Sequence, residues 1–325
     1  MGRSRRGCQV LTALQIDPSH TEVWRTDRWN ISVKEIGCLA VARLTTHARG
    51  VVHAVFSRSF YIDLPGGLVC LVNPGLGSCP LNVIAAVPVS TDWRASGVAV
   101  HDGVTIIGLN LYVGARFVFD LSSALGWEPV FLSSSVEASR IRKGLKLFRE
   151  AARDRLPADG LACLLGSENA AVNKTARHLQ PEVADLQGWL ADGGKVGSVP
   201  VSTILGAGPG LTPSGDDFLS GMMIALSMLG EEKLRDRLWL SIYPCAARSG
   251  NRISQAHLEA AALGFGHAAL HRAIHAIVMN DGRGIAVSVE DLGTIGATSG
   301  WDAMAGAGVL LEAWSRSVPT GRRDR

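Results

Sequence analysis

Over the first 130 residues apolar and polar positions alternate in short runs broken by turn residues. "GVVHAVF" (50–56), "SFYIDL" (59–64), "LVCLV" (68–72) and "RFVFDL" (116–121) have the period of two and the β-branched and aromatic content of strands. Pro65-Gly66-Gly67 separates two of them as a turn. "SGVAV" (96–100), "HDG" (101–103) and "VTIIG" (104–108) read as a hairpin turning on Asp102-Gly103. Strand follows strand with no helix between, which argues for an antiparallel sheet or barrel.

Near residue 134 the period lengthens to that of a helix, and alanine and leucine take over. Helices are predicted over 134–153, 168–191, 214–230, 232–247, 251–263, 267–279 and 302–315. A glycine-rich loop, "ADGGKVGSVP" (191–200), leads to a short predicted strand, "VSTIL" (201–205). The fold class is α+β: a β-rich region over residues 1–130, then a mostly helical region over 131–325. The shift falls at "GWEPVFLSSS" (126–135), where no flexible linker stands out.

Composition narrows the classes of function. The 325 residues are 47% hydrophobic and carry a net charge of +3. Their mean hydropathy is +0.18. A sizeable core is expected, and neither nucleic acid nor an anionic membrane is called for. Cysteines 8, 38, 70, 79, 163 and 245 form no C-x-x-C pair, which points to reduced thiols in the cytoplasm. The basic start, "MGRSRRGCQVLTALQI", lacks the apolar stretch and cleavage site of a signal peptide. No run reaches the roughly 18 apolar residues of a membrane span.

The chemistry concentrates in "GAGPGLTPSGDDFLSG" (206–221), which runs into the apolar "MMIALSML". Gly210 and Gly215 have the glycine spacing of a phosphate-binding loop, but Asp216 stands where the lysine belongs. Leu211 likewise occupies the third glycine position of a dinucleotide fingerprint. A capping box explains part of the pattern: Ser214 caps the helix and Asp217 reaches back to it. That reading leaves Asp216 and the glycines of the approach unexplained.

A second copy lies 85 residues on. Ser214-Gly215-x-Asp217-x-x-x-Gly221 matches Ser299-Gly300-x-Asp302-x-x-x-Gly306, and Gly208 matches Gly293. Trp301 replaces Asp216 in this copy. Gly221 and Gly306 permit close backbone approach on one helix face. If the two helix starts meet, their unpaired amides form a site for an anion or an oxyanion.

The stretches "GPGLTPSGDDFLSG", "ISQAHLEAAALGFGH" (253–267) and "GATSGWDAMAG" (296–306) together resemble the AllH-type subunit of oxamate carbamoyltransferase. The resemblance spans most of the chain and includes "GWEPV" at the end of the β-rich half. It implies phosphorolysis of a carbamoyl group in anaerobic allantoin breakdown: oxalurate and phosphate interconvert with oxamate and carbamoyl phosphate. It also implies other subunits, one of them succinyl-CoA-ligase-like. Two alternatives stand beside it: a non-catalytic anion-binding or scaffold subunit, and an amidohydrolase-like enzyme acting on ureido compounds.

The candidate catalytic residues are Asp216, Ser214, Thr212 and His257. The candidate substrate-binding residues from the first loop are Gly208, Gly210, Gly215 and Asp217; those from the second are Thr298, Ser299, Gly300 and Asp302. Arg248 and Arg252, in "ARSGNRIS", are candidate cations because arginine grips phosphate or carboxylate in bidentate fashion. Lys174 and Asn173 are weaker candidates. No metal ligand set is assigned; Asp216 with Asp217 is the candidate pair for Mg²⁺. His267, His271 and His275 share a helix face that reads as solvated or interfacial. "NPGLGSCPLNV" (73–83) reads as an irregular turn, with Cys79 an unsupported nucleophile. The expected partners are a small anionic substrate and other subunits in an oligomer.

Overall fold

A computed structural model describes residues 28–132, 136–166, 173–194 and 199–317. The first part of the helix expected over 134–153, residues 168–172 of the next one, and the middle of the 191–200 loop fall outside these residues. Contacts divide the chain into two units, with the boundary between Glu128 and Pro129.

The first unit is a closed barrel. Its elements are β1 (Trp29–Gly37), α1 (Cys38–Arg43), β2 (Arg49–Val55), β3 (Ser59–Leu64), β4 (Gly67–Val72), β5 (Asn82–Ala85), β6 (Gly103–Ile107), β7 (Asn110–Val113), β8 (Phe117–Asp120) and β9 (Leu125–Trp127). The order β5-β4-β3-β2-β6-β7-β8-β1 closes through a β1–β5 pairing. β9 runs parallel to the end of β1, with Glu35 opposite Leu125. Most neighbours are antiparallel; β1–β8 and β4–β5 are parallel. Alternate residues point inward, so Val52, Phe60, Ile62, Val69, Leu71, Ile106, Leu111 and Phe119 fill the interior. Trp93 joins them, its ring 5.1 Å from that of Phe60 and edge-on to it.

The predicted hairpin lies one turn further along. Residues 96–102 form turns, and β6 and β7 are the paired strands, with Ile107 opposite Asn110. Gly108 sits at the first turn position with φ +57°, as a II′-type turn requires. Asp102 instead accepts the Ala99 amide, at 2.9 Å.

The second unit holds the helices α2 (Ala138–Ala152), α3 (Lys174–Ala191), α4 (Ser214–Met228), α5 (Glu232–Ala246), α6 (Arg252–Ala262), α7 (Ala268–Met279), α8 (Gly282–Leu292) and α9 (Ser299–Ser317). The pattern missed α8, a short helix capped by Asp281, and placed the start of α9 at residue 302. "VSTIL" is a series of turns rather than a strand, and its Val201 and Ile204 pack into the helical core.

Helix α4 is the centre of this unit: every residue from Ser214 to Leu226 is buried. A helix enclosed on all sides needs apolar residues on all sides, and "FLSGMMIALSM" supplies them. Its main neighbour is α9, and the two touch backbone to backbone. A Cβ on Gly221 would overlap the Ala303 carbonyl, and one on Gly306 would overlap the Phe218 carbonyl. The two contacts are equivalent, since each glycine follows its motif aspartate by four residues and each carbonyl follows it by one.

Gly221→Ala and Gly306→Ala should therefore each cost about 3 kcal/mol in denaturant unfolding, because neither backbone can yield without parting the helices. Gly188→Ala, in α3 where a Cβ meets nothing within 4 Å, should stabilise by about 1 kcal/mol. Equal behaviour of the three variants would remove the close-approach argument.

Candidate functional site

The two Ser-Gly-x-Asp helix starts come together in the second unit. The Thr212 hydroxyl of the first loop lies 3.0 Å from the Ser299 hydroxyl of the second. The hydroxyls of Ser299 and Thr212 stand beside the Asp217 carboxyl, and those of Thr298 and Ser214 stand beside Asp302. Each helix thus presents its serine to the other's aspartate. Asp302 is fully buried and accepts the Leu161 amide on Oδ1, at 2.5 Å. Oδ2 of Asp217 and Oδ2 of Asp302 have no hydrogen-bond partner.

Burial dominates the electrostatics of this crossing. It pushes the Asp217 carboxyl well above the usual range; Ser299 opposes the shift, and the charge of Asp302 adds to it. Burial also raises Asp302, against the Leu161 amide and the Thr298 and Ser214 hydroxyls. Burial thus shifts both acids in the same direction, disfavouring a charge on oxygens that lack donors.

This geometry replaces the capping box. Pro213 is the residue before α4, and its carbonyl accepts the amides of Asp216 and Asp217 at 2.9 and 3.1 Å. Ser214 is inside the helix and makes no capping bond. Several of the amides expected to hold an anion are also engaged. Gly215 donates to the Ala207 carbonyl, Gly300 to Ile295 and Asp302 to Thr298. A Cβ on Gly215 would overlap the Ile204 carbonyl, and one on Gly300 the Leu292 carbonyl. These two glycines serve tight turns rather than an open amide nest.

Asp216 points elsewhere. It is 6% exposed, its Oδ1 accepts the Gly206 amide at 2.6 Å, and its Oδ2 accepts the Ser254 hydroxyl of α6. Burial raises its pKa, against the Ser254 and Gly206 bonds. It lines a pocket of 350 Å³ with Ser202, Gly206, Ser249, Asn251, Ser254 and Gln255. Asn251 ties this wall together: it caps α6 by accepting the Ser254 amide and donates to the Leu211 carbonyl at 2.8 Å. Ser254 is the residue that sequence reasoning missed. Its signal, an asparagine cap three positions earlier, marks a helix start and nothing more.

The other candidates scatter. Gly208 has φ +105° and lies against Ser214, where a Cβ would be 3.0 Å from the Ser214 amide nitrogen. Gly210, at φ +99°, faces open space. His257 sits on α6 outside the pocket lining. Arg248 and Arg252 are exposed and do not line it either; Arg248 reaches Cys245 at 3.5 Å. Lys174 lines a second cavity, of 380 Å³, with His178, Thr203, Gly206 and Gly208. Asn173 is structural: it caps α3 and donates to the Ala158 and Gly160 carbonyls. Cys79 is buried in the first unit, where burial pushes its thiol up to about 12, so it is not a thiolate nucleophile.

Asp216 and Asp217 face different partners, Gly206 and Ser254 for the first and Ser299 and Thr212 for the second. Among the described residues no group of three or more His, Cys, Asp or Glu could hold a metal ion. The histidine stripe is not a solvated face. His267 caps α7 through the Ala269 amide, His275 is exposed, and His271 is buried. Nε2 of His271 accepts the Gly266 amide at 3.1 Å, and its ring meets that of Phe131 edge-on.

The structure defines a β-barrel joined in sequence to an all-helical unit with paired Ser-Gly-x-Asp helix starts. Two family models match the chain, one described as oxamate carbamoyltransferase subunit AllH over residues 204–311, the other as the AllH family N-terminal domain over residues 30–126. Together they cover most of the chain, which belongs to the AllH family. No solved structure matches it. Among the described residues no helix is long and apolar enough to cross a membrane.

His271 gives the helical unit a defined pH response. Burial, helped by His267, lowers its pKa to about 4 from 6.5. Between those values the unfolded chain binds a proton that the folded chain does not, so stability falls as pH drops through this window. The loss is about 3 kcal/mol. Urea unfolding at pH 7 and pH 4.5 should show it in the parent and not in His271→Gln. The raised carboxyls act oppositely, contributing stability at low pH that is lost as pH rises, so Asp217→Asn should steepen the acid loss.

Proposed function

We propose that the chain is a subunit of a cytoplasmic carbamoyltransferase of the oxamate type, interconverting oxamate and carbamoyl phosphate with oxalurate and phosphate. The family's description supports the subunit role. The observation that carries the reaction to this chain is the placing of Asp216: a carboxyl almost fully buried, held by two donors, at the wall of a pocket beside the junction of the two loops.

Transfer of a carbamoyl group passes through a tetrahedral centre whose oxygen gains charge. Asp216 accepts from the carbamoyl NH₂ and orients it. Thr212, Ser214 and Ser299 keep the loop junction in register beside it. The amides of Gly215, Asp216, Asp217, Gly300 and Asp302 are committed to carbonyls, so much of the stabilisation of the developing oxyanion falls to side-chain donors and to cations. Arg248 and Arg252, which flank the lining residues Ser249 and Asn251 in sequence, and Lys174 are the candidate cations, and partner subunits supply others.

A second reading has its own support. Most of the helix-start amides are engaged, and the pocket lining holds no lysine or arginine. Both features fit a subunit that binds or organises while a partner performs the chemistry. An amidohydrolase-like activity differs from both in being independent of phosphate.

In the assembly reconstituted with its partner subunits, Asp216→Ala should keep its circular-dichroism spectrum and lose at least about a hundredfold in turnover. Turnover equal to the parent's would assign the chemistry to another subunit. Calorimetric titration of the lone chain with carbamoyl phosphate, oxamate and phosphate, beside an activity assay, separates a binding subunit from an active one.

A further inference from the structure

We infer that the pocket beside Asp216 receives the neutral, hydrogen-bond-donating amide end of a small ligand, and that Ser254 is the positioning residue that aims the carboxylate into it. The charge of the lining is the first argument. The pocket encloses 350 Å³, and Asp216 is the one ionisable carboxyl or ammonium-type group among its lining residues. An anionic oxygen entering it would meet like charge with little water between, where repulsion is strong.

The second argument is the count of acceptor sites. An ionised carboxylate offers about four lone-pair directions. Here one oxygen takes the Gly206 amide and the other takes the Ser254 hydroxyl. The remaining directions are acceptors, and a primary amide brings two N–H donors to meet them. Gln255 adds to this character: its side-chain nitrogen donates to Glu259 at 2.9 Å, which leaves its oxygen as an acceptor. Ser249 has spent its hydroxyl proton on the Ala246 carbonyl. Ser202, at the exposed rim, brings a hydroxyl that suits the amide's carbonyl oxygen.

Ser254 acts through Asp216. It is 2% exposed and fixed at the start of α6 by the Asn251 cap. Its hydroxyl therefore has one place to donate, and it holds the carboxylate plane toward the pocket. Naming the amide as that of oxamate or a carbamoyl group rests on the proposed function; the preference for a donor over an anion does not.

Oxamate and oxalate are close in shape and differ only in that an NH₂ replaces one oxygen of oxalate's second carboxylate, so they probe the pocket directly. Calorimetry on the full chain should show oxamate binding at least tenfold tighter than oxalate. Asp216→Asn, whose amide donates as well as accepts, should bring that ratio close to one. Ser254→Ala should weaken oxamate severalfold and narrow the ratio, and Ser254→Thr, which keeps the hydroxyl, should restore both. Equal binding of the two acids to the parent, no binding of oxamate, or a ratio unchanged in Asp216→Asn each overturns the assignment. Should Asp216→Asn fail to fold, the Ser254→Ala and Ser254→Thr pair decides alone. Asp216-dependent turnover with a ratio of one would retain the proposed function and discard this pocket; the reverse result would retain the pocket and discard the function.

Discussion

The helical unit depends on one contact: the main chains of α4 and α9 touch where Gly221 and Gly306 leave no side chain between them. Close-packed interiors do not absorb a misplaced methyl group without moving whole elements. With that contact set, the rest of the crossing has no freedom. One turn toward the helix starts, each aspartate must lie beside the other helix's serine, and both must be buried. The motif is a docking device used twice.

Neighbouring residues on a helix point about 100° apart, and this separates two acids that look alike in sequence. Asp217 faces α9 and is enclosed there. Asp216 faces α6 and a pocket. The second copy has the equivalent of Asp217 and, in Trp301, a buried apolar residue in place of Asp216. The copies share what docking requires and differ where the pocket is. That contrast is why the proposed function turns on Asp216.

Much of this was legible in the residues. Alternation identified β2, β3, β4, β6 and β8 but not β1, β5, β7 or β9, helical spacing identified most of the helices, and two copies of one motif suggested that distant loops meet. What could not be read was where polar groups send their bonds. A serine three residues before an aspartate is a capping box by local rules, but here a partner helix is close enough to take both side chains. The fate of the helix-start amides was hidden for a similar reason, because loop carbonyls turn back onto those of Gly215 and Gly300. Hairpin placement slipped because Asp-Gly is a strong turn signal wherever it falls, while the strand pairing that decides the matter is nonlocal. Ser254 was invisible because its importance lies wholly in a side chain 38 positions away. His271 misled because a regular spacing of histidines says nothing about which of them the core will cover.

The closure of the barrel bears on how the protein is made. β1 leaves the ribosome first, yet its neighbours on one edge are β8 and β9, the last strands of the unit. Until those emerge, β1 has an open edge, and such edges invite pairing with other nascent chains. The meander β2–β3–β4 consists of adjacent antiparallel pairs and can assemble in the meantime. The first domain is therefore completed in one late step, when nearly all of its sequence has been translated.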